Sequence, residues 1–356
     1  MSSFKEIVFI VQKSETQSLG FERIAMEMAR AIEPNLKAKL VVVSPPPKFA
    51  LNTSLPLFGS LITYLNFLFA CLFSSLGKDL VYILGKDAGL SLPLIRIFSG
   101  AKVFTQIHYR HKRTDRKNYQ YRLWERISER LTLKFSDRVF VDNEQARSFF
   151  KEEYGQETKL IAYGADHIEE AYKVVSPTQK DKKYAVSFMP ASSTQAIMAL
   201  KSFAQYPKYD YYLILENSYE YLSDEIKAYQ EYSHIHFIIP EKKFEPFLMG
   251  AYMYIHLEPT IKARLRLLEA MMMGKHVLCF NSSFSRNLTA SEASYFSNHS
   301  QLLSALHKAV KQSHFDQGKH MQKLATRLNW TTAAEQVLEE LESLGEEVLI
   351  PEMADL

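Results

Sequence analysis

The stretch Leu267-Leu268-Glu269-Ala270-Met271-Met272-Met273-Gly274-Lys275-His276-Val277-Leu278 decides the fold. An apolar run carrying one acid predicts a helix with Glu269 near its start. A single glycine at its end supplies a tight turn that stops the helix, and an apolar run follows as a buried strand. Upstream, Tyr252-Met253-Tyr254-Ile255-His256-Leu257 predicts another strand. Strand, loop, helix, glycine and strand make a βαβ half-unit, the repeating element of parallel sheets.

Working outward, the same alternation recurs along the chain. Strands are predicted at 7–11, 38–43, 80–84, 103–107, 138–141 and 160–162, with helices such as 21–32 and 121–135 between them. The pattern restarts at 184–188, 211–215, 236–239, 253–257 and 277–280, with helices at 194–204, 265–273 and 300–312. Such alternation of β-rich and helical runs argues for a parallel sheet covered by helices on both faces. The expected fold class is α/β, with two doubly wound Rossmann-like domains in tandem. Their expected limits are 1–172 and 184–330, with a lysine-rich linker at 173–183 and a helix plus acidic tail at 331–356 crossing back to the first domain.

Composition narrows the function classes. A chain of 356 residues with 47% hydrophobic and 23% charged residues is globular and long enough for two domains. A net charge of +3 does not point to a nucleic-acid binder. Cys71 and Cys279 lie far apart in apolar runs, which reads as buried thiols and not as a disulfide or a metal site. The run Met1–Glu6 leads into a strand without the layout of a signal peptide. The 51–77 segment carries no charge. Pro56, Gly59, Asn66 and several serines dilute it, so it reads as a buried or membrane-leaning helix of the first domain, with a membrane span as the alternative. No Walker lysine loop, nucleophile elbow, zinc spacing or D-x-D metal motif is present.

Several motifs carry a family resemblance. Leu268-Glu269-Ala270-Met271 through Gly274 resembles the L-E-A-M-A-x-G-x-P-V donor signature of retaining GT-B glycosyltransferases. Val139-Phe140-Val141-Asp142-Asn143-Glu144 and Tyr163-Gly164-Ala165-Asp166 resemble the V-I-A-D-S-E and Y-G-A-D segments of a rhamnosyltransferase-like branch of family four. Gly20-Phe21-Glu22 resembles part of that branch's G-G-F-E-T loop, and Phe280–Asn287 resembles D-N-P-F-N-R-E, with Arg286 matching. Trp330 before a final helix also fits. The resemblance implies two Rossmann-like domains facing across a cleft. It also implies a nucleotide diphosphate sugar as donor, transfer of a hexose or deoxyhexose with retention and without metal or cofactor, and a lipid-linked or glycan acceptor in bacterial surface polysaccharide synthesis. The implied location is cytoplasmic, peripheral on the inner membrane face.

The resemblance assigns Glu269 to ribose hydroxyls, with favourable placement in the helix dipole alone as the alternative, and Gly20 to the diphosphate, with a plain strand-to-helix turn as the alternative. It departs elsewhere. Met189 and Thr194 stand where relatives place two diphosphate-binding side chains, and Ile261-Lys262 replaces a glycine pair. Two accounts follow for Lys262, Arg264 and Arg266: new phosphate ligands, since guanidinium forks suit phosphate oxygens, or charges that merely face solvent at a decayed site. Thr194, at a helix start, is a weaker donor candidate. His108, just past a strand end, is the catalytic candidate for positioning an acceptor hydroxyl, with a structural role as the alternative. Arg110, Lys112, Arg113 and Arg116 form a basic stretch for an anionic acceptor or membrane headgroups, or else a solvated face. An active transferase and a catalytically silent GT-B protein that partners an active one are both expected outcomes of this pattern. A membrane-associated protein of other function, built around the 51–77 helix, is a third.

Overall fold

The computed structural model describes residues 5–12, 21–43, 57–107, 119–169, 183–189, 193–215, 222–239, 244–258, 264–311 and 314–347. The chain divides into two compact units. One is built from the described residues up to Tyr163 together with the final helix from Trp330, and the other from the described residues of Gly164–Asn329. Both are α/β with a six-stranded, all-parallel sheet, as the alternation predicted.

The first unit runs β1 (Glu6–Gln12), α1 (Phe21–Ile32), β2 (Lys37–Val43), α2 (Leu57–Ser75), β3 (Leu80–Leu84), α3 (Leu92–Phe98), β4 (Lys102–Ile107), α4 (Tyr119–Phe135), β5 (Arg138–Val141), α5 (Glu144–Tyr154) and β6 (Lys159–Leu160). The strand order is β2-β1-β3-β4-β5-β6. Right-handed crossovers place α1 on one face and α2 to α5 on the other, because only the first connection runs the opposite way along the sheet. Packing agrees: α2 lies against α3, and α3 against α4. Phe67 and Cys71 of α2 are buried with Val81, Ile83, Leu92 and Ile95, so this helix is part of the domain core. Among the described residues no helix is long and apolar enough to cross a membrane.

The central strands are buried on both faces, and every residue of β3 is inaccessible. A buried polar thread crosses them. The Tyr82 hydroxyl donates to Gln106 at 2.7 Å, and the Gln106 amide donates to the Ile161 carbonyl at 3.2 Å.

The second unit runs β7 (Tyr184–Phe188), α6 (Ser193–Ala204), β8 (Asp210–Ile214), α7 (Asp224–Lys227), β9 (Ile235–Ile238), α8 (Glu245–Gly250), β10 (Met253–His256), α9 (Arg264–Met272), β11 (His276–Phe280), α10 (Ser283–Leu288), β12 (Ser294–Phe296), α11 (His299–Lys311) and α12 (His314–Ala325). The order is β12-β11-β10-β7-β8-β9. The strand β12 was not foreseen; its three residues are too few to show a period. Two cores flank this sheet. One gathers α8, α9 and α12 with Phe284, and the other gathers α6 and α11.

The last helix, α13 (Trp330–Glu347), belongs to the first unit, where it packs on α1. Arg138 on β5 donates to Glu340 at 2.9 Å, Lys159 pairs with the same carboxylate, and Tyr163 lies 6.1 Å from the Trp330 ring. The asymmetry of buried Val337, Leu341 and Leu344 against exposed Glu335, Glu339 and Glu342 is what fixes its orientation on the sheet.

One glycine pair sets how α9 hands over to β11. Gly274 turns with φ of 62°, a left-handed conformation that other residues adopt at a cost. Gly318 of α12 lies so near that a methyl group there would sit 2.1 Å from the Gly274 carbonyl oxygen. Backbone opposes backbone, so nothing can swing aside. Gly318→Ala is expected to destabilise the protein by about 1–3 kcal/mol through overpacking. Urea unfolding of the variant, with a cooperative slope equal to wild type, checks this.

Candidate functional site

In the second sheet the direction of strand order reverses between β7 and β10, the switch point at which open parallel sheets hold ligands beyond their carboxyl ends. Phe188 ends β7 and His256 ends β10 at that place. The helix that follows β10 is α9, which carries Arg264, Arg266 and Glu269. Thr194 follows β7, and Arg286 follows β11, the strand beside β10. Thus Thr194, Arg264, Glu269 and Arg286 all emerge after the carboxyl ends of three neighbouring strands.

Their environments differ. Thr194 is exposed at the second position of α6. Arg286 is exposed, with its Nε donating to Asn281 at 2.7 Å and its guanidinium 4.4 Å from the Tyr295 ring. Arg264 is buried. Glu269 is the sixth residue of α9 and not near its start, so the helix dipole, felt only in the first turn, does not account for it. Gly20, His108, Arg110, Lys112, Arg113, Arg116 and Lys262 lie outside the described residues.

The Glu269 carboxylate is wholly inaccessible and is held within the unit. Arg266 Nη1 donates to it at 2.9 and 3.3 Å, and His167 Nε2 donates to Oε1 at 3.0 Å. Arg266 is itself buried, its guanidinium 3.5 Å from the Phe244 ring centroid and 4.9 Å from that of Phe188. A planar, weakly hydrated cation suits such an aromatic slot, where an ammonium would not. The account in which Arg264 and Arg266 merely face solvent is therefore wrong; both are buried. The role of Arg266 comes from the i to i+3 spacing on one helix face, which was legible. That of His167 was not, since it lies over one hundred residues away in sequence, at |i−j| of 102.

Beside this cluster, Tyr254 and His256 line the end of β10. The Tyr254 hydroxyl donates to His256 Nδ1 at 3.3 Å, and His256 Nε2 has no hydrogen-bond partner among the described residues. Burial lowers the His256 pKa to about 3, against a raising backbone hydrogen bond at Glu258. Burial also pushes the Tyr254 hydroxyl well above its ordinary value. Both rings are neutral at pH 7. At the glycine turn, burial lowers the Lys275 pKa to about 8, and its ammonium donates to the Met249 carbonyl.

Two measurements follow from these burials. The unfolded chain protonates His256 below pH 6.5, whereas the folded chain resists until about pH 3. The unfolded state binds more protons throughout that window, so stability falls on acidification through it, by up to about 1.4 kcal/mol per pH unit from this group. His256→Gln is expected to flatten that slope in denaturant titrations run from neutral to acid. For the ion pair, Glu269→Leu strands a buried guanidinium and is expected to cost about 3–5 kcal/mol, while Arg266→Met with Glu269→Leu costs less than Glu269→Leu alone. Chemical denaturation of the three proteins measures the difference.

No protein-family model matches the sequence, and no curated protein does. Solved structures match over nearly the whole chain. Sucrose-phosphate synthase from Thermosynechococcus elongatus superposes with a TM-score of 0.70 at 14% identity, covering 96% of this chain and 100% of that one. WaaG, a glycosyltransferase involved in lipopolysaccharide biosynthesis, gives 0.63 at 14% identity, covering 93% and 98%. The UDP-GlcNAc 2-epimerase from Neisseria meningitidis, bound to UDP-GlcNAc, gives 0.57 at 15% identity, covering 95% and 100%. At such identities the likeness establishes the fold, which is GT-B, with two Rossmann-like domains. The same fold serves transferases and epimerases, so reaction type must be argued from residues.

Proposed function

We propose that the protein is a glycosyltransferase that takes a hexose or deoxyhexose from a nucleotide diphosphate sugar and passes it, with retention, to a lipid-linked or glycan acceptor of bacterial surface polysaccharide at the inner membrane face. The observation that carries this reading is the gathering of Thr194, Arg264, Glu269 and Arg286 after the carboxyl ends of β7, β10 and β11 around the switch point of the second sheet. A GT-B fold shared with enzymes of nucleotide sugars supports it. In this reading the cations Arg286, Lys262 and Arg264 hold the diphosphate and stabilise the charge that develops as it leaves. Gly20 lets the backbone approach the donor, Glu269 is the nucleoside-side acid, and His108 positions the acceptor hydroxyl.

One specific observation favours a second reading, a catalytically silent GT-B protein that partners an active transferase. Both oxygens of Glu269 accept from Arg266, and Oε1 also accepts from His167, with no accessible surface left on the carboxylate. A ribose would have to displace one of those donors, and leaving a buried donor unmet is costly.

Calorimetric titration with UDP, ADP, GDP and dTDP and their sugars separates the two. An active donor site binds one base selectively, and Arg286→Ala, at an exposed position, weakens that binding by about tenfold through loss of a charge-assisted contact. Absence of heat across the panel, with melting temperature unmoved by any nucleotide, refutes the enzyme reading in favour of the silent partner.

A further inference from the structure

Apart from Leu40 and Val42 on β2, the large apolar side chains that unit one exposes among the described residues lie on one helix layer. On α2, Leu65, Phe69 and Phe73 fall within an arc of about 80° at 3.6 residues per turn, opposite the buried Phe67 and Cys71, and exposed Leu76 follows just past the helix end. Phe73 is 67% exposed and stacks on Phe69 with ring centroids 6.0 Å apart. The neighbouring α3 adds Ile97 at 69% and Phe98 at 62%. Such a patch on one layer is a contact surface awaiting a partner, since scattered apolar residues would need no explanation.

The charges around it identify that partner. Helix α2 carries no charged residue, and α3 carries only Arg96. On the next helix, Arg126, Arg130 and Lys134 are exposed at four-residue intervals and make one basic stripe. Two acids of this layer are engaged within the protein: Glu129 is buried under the Tyr154 hydroxyl, and Asp137 accepts from Arg96 and from the Val103 amide, each at 2.7 Å. The opposite face of the sheet carries α13, which exposes Glu335, Glu339 and Glu342 and has no Lys or Arg. The α2–α3–α4 layer is apolar and basic at these described positions, α5 beside α4 exposes charges of both signs, and α13 across the sheet exposes glutamates.

We infer that the α2–α3–α4 layer of the first unit is a docking surface for an anionic lipid bilayer, with Phe69, Phe73, Ile97 and Phe98 entering the acyl boundary and Arg126, Arg130 and Lys134 meeting headgroups. This deepens the inner-membrane part of the function proposed above by assigning it a surface. Apolar insertion combined with cationic attraction is the two-signal arrangement that stable peripheral binding requires. The acidic α13 face is repelled by the same surface, which sets the orientation.

Sedimentation of the full chain with vesicles of phosphatidylcholine, with and without phosphatidylglycerol, tests this at low and at physiological salt. Binding is expected to require phosphatidylglycerol and to weaken with salt. Phe73→Glu with Ile97→Glu, and separately Arg126→Glu with Arg130→Glu, are each expected to lower vesicle affinity by at least about tenfold, with melting curves matching wild type because all four positions are exposed. The proposal is overturned by absence of binding to phosphatidylglycerol vesicles, or by binding that both variants leave intact. It is equally overturned if light scattering finds a dimer that Phe73→Glu dissociates while vesicles stay unbound, since a second copy then covers the face. Nucleotide titration without vesicles reads the donor site separately, so failure of one leaves the other standing.

Discussion

The second unit depends on how a buried anion is neutralised. Glu269 sits in the interior of α9, out of contact with water, where an ionised carboxylate is tolerated only with hydrogen-bonded, oppositely charged company. Arg266 supplies that company from the same helix face, and His167 from a segment just past the end of the first unit. The guanidinium in turn needs Phe188 from the end of β7 and Phe244 from the start of α8. A single charge thereby draws four chain segments to the switch point of the sheet.

This internal satisfaction bears directly on chemistry. An acid whose hydrogen bonds are all taken by protein donors is preorganised, and it is also closed to a hydroxyl-bearing ligand until a donor leaves. The neighbouring Tyr254 and His256 stay neutral for a related reason: full burial raises the cost of charge on either ring. The switch point thus combines neutral buried rings with the compensated Glu269–Arg266 pair and the buried Arg264. Arg286 and Thr194 stand exposed after the adjoining strands, available to a diphosphate or to solvent.

Unit one poses a different physical problem. An all-parallel sheet must be covered on both faces. The two covering layers meet that demand with opposite chemistry: α13 turns glutamates outward, whereas α2 and α3 turn out phenylalanine and isoleucine beside the cations of α4. Burial explains the inward residues of both layers and leaves the outward apolar ones without a role in folding. That unexplained apolar surface is what the proposed bilayer contact would account for.

The sequence by itself determined the two parallel α/β units, because strands buried on both faces must be continuously apolar and helices between them must keep a 3.6-residue stripe. Val81–Leu84, Tyr184–Phe188 and Phe21–Ile32 carry those patterns plainly. It also marked Glu269 and its cationic neighbours on α9, since their spacing is local. Only the tertiary structure decided what those groups do. The partnership of Glu269 with His167, the aromatic slot around Arg266 and the contact of Gly318 with Gly274 join residues distant in sequence. The outward stripe of α2 was hidden for another reason. A uniformly apolar helix does not announce which face the core will take, and only packing against β3 and α3 shows Phe67 and Cys71 turned inward and Phe69 and Phe73 left outside.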